Sequence, residues 1–230
     1  MKKQSLRGKA ALITGGGTEI AGEVGLALAC QGVKVCLCGM QKDLLEMAAA
    51  RIRAAGGICL TITTGLNNLE EAESVLEQCR AAFDRLNILI LVSPFWSGGQ
   101  IHSHNVKAWD RVMAGNLREP FLMARATLPL FRDQKQGEIM AIGSDSALGI
   151  YPQDGAYGVA MHALNALMEL IRLENAEFGI RTHILSPGIA LTIGKDSMGH
   201  PALAPVNVAE WVIWLLTRPV HLRGNGPILI

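Results

Sequence analysis

The sequence predicts a doubly wound α/β protein, a parallel sheet of about seven strands with helices on both faces. Three observations carry this. Short apolar or β-branched runs alternate with longer segments of helical spacing along the whole chain. Half of the 230 residues are apolar and only 18% are charged, as strands buried on both faces require. The first strand-like run leads into a glycine cluster that opens a helix. A chain of this length supports one sizeable core, and residues 1–230 are read as a single domain.

In chain order, the strand readings are residues 9–14, 33–38, 58–63, 87–92, 138–143 and 181–186, each bounded by polar or glycine-containing segments. Between them, residues 20–31, 42–55, 69–83, 106–131 and 156–178 repeat apolar positions at helical spacing. A last helix near residues 208–216 and a terminal strand at 227–230 complete the pattern. Ligands in such sheets bind beyond the carboxyl ends of the strands, at the switch in strand order, so the loops after the strands are where chemistry is expected.

Composition narrows the partners. A formal charge of +1 with no basic run provides no footprint for nucleic acid or anionic lipid, and no apolar run has the length of a membrane span. Met1-Lys2-Lys3 is basic, but no apolar segment precedes the first strand, so no secretory signal is read and a cytoplasmic protein is expected. Cys30, Cys36, Cys38, Cys59 and Cys79 form no CxxC pair and read as buried free thiols, with Cys36 and Cys38 on one strand face. His102 and His104 lack an accompanying acidic or cysteine cluster, so no metal site is expected.

The loop after the first strand runs Ala11-Leu-Ile-Thr-Gly-Gly-Gly-Thr-Glu-Ile-Ala21. Free N–H groups and the dipole of the helix that follows suit a pyrophosphate there. This run resembles the Thr-Gly-x-x-x-Gly-Ile-Gly loop of the short-chain dehydrogenase/reductase family, whose fold is of the Rossmann type. Thr14, Gly15 and Ile20 are in place, while Glu19 and Ala21 stand where the family has glycines. Beside a phosphate at 4 Å, a Glu19 carboxylate would cost about 4 kcal/mol at an effective dielectric of 20. Glu19 is either an acid at the helix start facing solvent or a carboxylate occupying the anion site itself.

A second stretch extends the resemblance. Ser144 is followed thirteen residues later by Tyr157-Gly-Val-Ala-Met161, at the start of a long helix. The family has serine at that distance and then Tyr-x-x-x-Lys. The resemblance implies that Ser144 binds a substrate oxygen and Tyr157 is the general acid. Met161 replaces the lysine that lowers the tyrosine pKa, and at i+4 it shares the Tyr157 face. Moving a tyrosine from near 10 to about 7 takes roughly 4 kcal/mol, most of which a thioether cannot supply. By position alone, Tyr157 could also be a core aromatic and Ser144 a strand-end cap.

Two further motifs match in order. Trp109-Asp-Arg-Val-Met-Ala-Gly-Asn116 resembles the family's helix carrying its proton-relay asparagine, and Ser186-Pro187-Gly188 with Thr192 resembles its nicotinamide loop. The resemblance therefore implies catalytic positions at Asn116, Ser144 and Tyr157. It implies NAD(P) contacts at Gly15, Gly17, Thr18, Ile20, Met40, Leu66, Ser93, Pro187, Gly188 and Thr192. It also implies a homodimer or homotetramer through the two long helices, and a small-molecule ligand.

The departures all fall on one function. Leu91-Val-Ser-Pro94 replaces the family's Asn-Asn-Ala-Gly, and Cys38-Gly39-Met40-Gln41 lacks the acid that selects NAD and the arginine that selects NADP. Gly65 stands where an aspartate usually meets adenine, and residues 192–206 form a short lid. Glu19 and Met161 further oppose the cofactor and its chemistry. The preferred reading is an atypical or non-catalytic relative of oxidoreductase ancestry. The alternative is an NAD(P)-dependent oxidoreductase that reduces a carbonyl or oxidises an alcohol with Tyr157 and Ser144.

Overall fold

The computed structural model describes residues 4–93, 95–188, 203–218 and 227–230. Seven strands form one parallel sheet: β1 (Ala10–Ile13), β2 (Lys34–Gly39), β3 (Cys59–Thr63), β4 (Ile88–Val92), β5 (Gly137–Ile142), β6 (Ile180–Ser186) and β7 (Pro227–Leu229). Their order across the sheet is β3-β2-β1-β4-β5-β6-β7, so the order reverses between β1 and β4, and the cleft of a doubly wound sheet opens there.

Strand alternation sorts the core into two layers. Ala11, Ile13, Val35, Leu37, Ile88, Ile90, Met140 and Ile142 face one side, packed with α1 (Glu19–Cys30), α2 (Lys42–Ala54) and α7 (Pro205–Thr217). Leu12, Cys36, Cys38, Leu89, Leu91, Ile139 and Ala141 face the other, packed with α3 (Leu69–Phe83), α4 (Val106–Met113), α5 (Glu119–Gln134) and α6 (Gly155–Asn175). Burying both faces is what made the strands read as continuous apolar runs. An ionic group interrupts them where Glu138 of β5 is 2% exposed. It pairs with Arg181 of β6 and lies 3.2 Å from His183 Nε2 on the same strand.

The structure changes two readings. The helix expected over 106–131 is α4, a π-helical turn at Ala114–Arg118, and α5. Pro120 is the cause: it has no N–H for the Asn116 carbonyl, and its ring crowds that carbonyl. The helix widens, and the Glu119 N–H reaches the Ala114 carbonyl instead. Among the cysteines, Cys36, Cys38 and Cys79 are buried, but Cys30 ends α1 exposed and Cys59 is half-buried at the sheet edge.

Candidate functional site

The loop from β1 to α1 is set by Gly15, whose φ is +61° and whose added Cβ would lie 2.8 Å from the Val92 carbonyl oxygen. Only glycine takes that conformation at that approach without strain. The Gly16 N–H donates to the Cys38 carbonyl at 2.8 Å, tying the loop to the end of β2. Thr18 caps α1, its Oγ1 accepting from the Ala21 N–H at 3.2 Å. The loop is thus closed upon the helix start, with N–H groups that suit an anion.

Two cavities flank this loop. One, of about 530 Å³, is lined by Ile20, Ser93, Trp96, Ser144, Asp145, Tyr157, Pro187 and Gly188. The other, of about 200 Å³, lies at the ends of β2 and β3, lined by Gly15, Gly17, Thr18, Gly39, Met40, Thr64, Phe95, Arg111 and Glu119. The expected positions therefore divide: Gly15, Gly17, Thr18 and Met40 fall on the second cavity, and Ile20, Ser93, Pro187 and Gly188 on the first. Leu66 lines neither. Its φ of 48° turns it into the core, where it is 3% exposed, and Thr64 takes its place. Thr192 lies outside the described residues.

Ser144 and Tyr157 come together as their spacing implied, with Ser144 at the end of β5 and Tyr157 on the first turn of α6. Ser144 Oγ donates to Asp145 Oδ1 at 3.0 Å and accepts from the Ser146 N–H at 3.2 Å. Burial, followed by the Asp145 and Asp154 charges, pushes the Tyr157 phenol above its ordinary value, against a smaller opposing hydrogen bond with Ser144. A hydroxyl has one proton to give. With that of Ser144 held by Asp145, the phenol keeps its own and serves as a donor.

Met161, on the Tyr157 face, is wholly enclosed in the core with Ala160, Leu164 and Met168. Asn116 is fully buried as well. Its Oδ1 accepts from the Phe95 N–H at 3.1 Å and its Nδ2 donates to the Phe95 carbonyl at 2.5 Å. It clamps the chain beyond β4, the stretch that lost the family's polar residues. The Val92 N–H just before it donates to Thr14 Oγ1 at 3.2 Å.

Glu19 is exposed on the first turn of α1. It lines a third cavity, with Gly17 and Thr18 of the loop and Glu23, Leu44, Arg51 and Pro205, and neither of the other two. Its carboxylate lies at the surface, where about 4 kcal/mol of repulsion applies only if it turns to within 4 Å of a phosphate, and its exposure leaves room for it to turn away.

Sequence reasoning missed Glu119. It lies in the second cavity as the first residue of α5, and burial there pushes its carboxyl up to about 8 despite a hydrogen bond from the Thr14 hydroxyl. The available signal was its place one turn beyond Asn116. Phe95 and Arg111 were missed too; the guanidinium of Arg111 lies 4.4 Å from the centre of the Phe95 ring.

A doubly wound sheet with a glycine loop at its switch point is the architecture of the Rossmann class. Residues 9–200 match the short chain dehydrogenase family, and the chain belongs to it. It is 27% identical over 223 residues to an uncharacterized oxidoreductase of Staphylococcus aureus, covering 96% of each chain. A Staphylococcus haemolyticus uncharacterized oxidoreductase matches at the same identity and coverage. Among solved structures, a metagenomic short-chain oxidoreductase in complex with NADP superposes with a TM-score of 0.85 at 25% identity, over 99% of this chain and 98% of that one. A short-chain dehydrogenase/reductase from Mycobacterium marinum gives 0.88 at 26% identity, over 98% and 94%. Among the described residues, no helix is long and apolar enough to cross a membrane.

Proposed function

We propose that this chain is an atypical short-chain dehydrogenase that retains a small-molecule cleft at Ser144 and Tyr157 but holds a nicotinamide dinucleotide weakly and turns it over poorly. The observation that carries the reading is the state of Tyr157. Burial and two neighbouring carboxylates raise its pKa, and the residue sharing its helix face is a buried thioether. Such a phenol is a good hydrogen-bond donor to a ligand oxygen and a poor proton shuttle near neutral pH.

A dinucleotide fits the residues at the glycine loop and beside Ser93, whose hydroxyl is buried without a hydrogen-bond partner among the described residues. It does not fit at the β2–β3 end, where a carboxyl lies in the cavity. As a set, the residues present do not fit it. Cytoplasmic location and self-association through α5 and α6 complete the proposal. Phe121, Val159, Leu170 and Leu173 leave apolar surface exposed on those two helices.

The retained Ser144–Tyr157 contact favours a second reading, an oxidoreductase acting on a carbonyl or an alcohol. Binding of NADP by the metagenomic relative supports it. Calorimetric titration with NADH and NADPH separates the two. Dissociation constants in the millimolar range are expected, and micromolar binding with turnover of a carbonyl substrate establishes the second reading instead.

A further inference from the structure

The two carboxylates near the loop have opposite settings. Glu19 is exposed and lines a cavity that also touches Gly17 and Thr18 of the glycine loop. Glu119 lies among Gly15, Gly39, Met40 and Thr64, at the carboxyl ends of β1, β2 and β3. A dinucleotide spanning the switch point sends one half to each side of the glycine loop. The Tyr157 cleft takes one side, so the adenosine half falls to the cavity that holds Glu119. At about 200 Å³ this cavity is smaller than the roughly 300–1,000 Å³ of ordinary ligand sites, and a ligand seated there strips water from the carboxyl.

We propose that Glu119 sets how the affinity of this protein for adenine nucleotides varies with pH, because its carboxyl occupies the cavity that the adenosine half must enter. The inference rests on the reading of weak dinucleotide binding and adds to it a dependence on pH. A carboxylate deprived of water without a cation against it is costly, whereas the neutral acid is not. Binding therefore takes up a proton and weakens as pH rises.

The groups around Glu119 do not reverse this. Cys38 of β2 is itself held neutral, by burial first and then by the Glu119 charge, with Cys79 of α3 behind it. β1 presents the Thr14 hydroxyl. On the β3 side, Thr64 Oγ1 is engaged by Glu71 of α3 at 3.1 Å. Arg111 of α4 is exposed at the rim and stacked on Phe95. Arg118, next in sequence, directs its guanidinium to the Asn67 carbonyl.

The test is calorimetric titration with ADP-ribose, which lacks the nicotinamide and so bypasses Met161 and Tyr157, and whose charge is constant from pH 6.5 to 9. For the wild type, a carboxyl at about 8 that must be neutral for binding implies about tenfold weaker binding at pH 9 than at pH 6.5. Glu119→Gln should remove that dependence and bind about tenfold more tightly than wild type at pH 9, while Glu19→Gln leaves the pH dependence of the wild type in place. The proposal is overturned by pH-independent wild-type binding. It is equally overturned if Glu119→Gln binds no better at pH 9, including by failing to bind at all. Glu119→Ala serves in its place if the glutamine variant does not fold, and the wild-type pH profile needs no variant. The broader reading fails separately, if wild-type protein binds NADH at micromolar concentration and reduces carbonyls.

Discussion

In the difference absorbance between wild type and Tyr157→Phe, the Tyr157 phenol is expected to ionise above the ~10 of a free tyrosine. Met161→Lys should lower its proton affinity at least tenfold. Only two tyrosines, Tyr151 and Tyr157, are present, so the subtraction isolates one group cleanly. The wild-type result follows from burial and the Asp145 and Asp154 charges, which together outweigh the hydrogen bond with Ser144. A lysine at 161 shares the Tyr157 face one turn on, and an ammonium within ~5 Å favours the phenolate by about 3 kcal/mol at an effective dielectric of 20. The same substitution places a cation where Met161 is 0% exposed among Ala160, Leu164 and Met168. It should therefore cost the fold about 3 kcal/mol in urea unfolding. A wild-type phenol titrating well below 10 would sink the atypical reading, because the cleft would then supply the activation that the lysine normally gives.

That experiment turns on residues whose fixed spacing made them legible in the sequence. Ser144 and Tyr157 belong to one β5–α6 unit, so a thirteen-residue interval was enough to bring them together. The strands were legible for a related reason: burial on both faces writes each as an unbroken apolar run. The interrupted helix was only half legible. Pro120 is visible in the sequence, but whether it ends a helix or widens one turn depends on packing, since Asn116 on the widened turn is anchored to the Phe95 backbone.

The β2–β3 end of the site was the least legible part. It is assembled from residues distant in sequence: Gly15, Gly39, Thr64, Phe95, Arg111 and Glu119. No local period links a carboxyl at the start of α5 to a loop more than a hundred residues earlier. Leu66 lies apart from both cavities, 3% exposed and with a left-handed backbone that its sequence neighbours do not announce. Glu19 was visible in the motif, but its solvent exposure is not something position encodes.

Glu119 should also leave a mark on stability in the absence of any ligand. Its carboxyl is pushed up to about 8 in the folded protein, against 4.5 for the free group, so between those values the folded state binds more protons than the unfolded state. Stability is therefore full below about 4.5, declines as pH rises, and levels off above about 8. The whole interval corresponds to about 5 kcal/mol, and the access of water to the open cavity reduces this to on the order of 2 kcal/mol. Glu119→Gln keeps the volume and an acceptor for Thr14 but has no proton to lose. In urea unfolding it should be about 2 kcal/mol more stable than wild type at pH 9 and within 1 kcal/mol of it at pH 4.5. Because the other titrating groups are common to both proteins, the pH dependence of the difference belongs to this carboxyl. An equal difference at both pH values would mean that Glu119 is fully solvated and does not occupy the cavity.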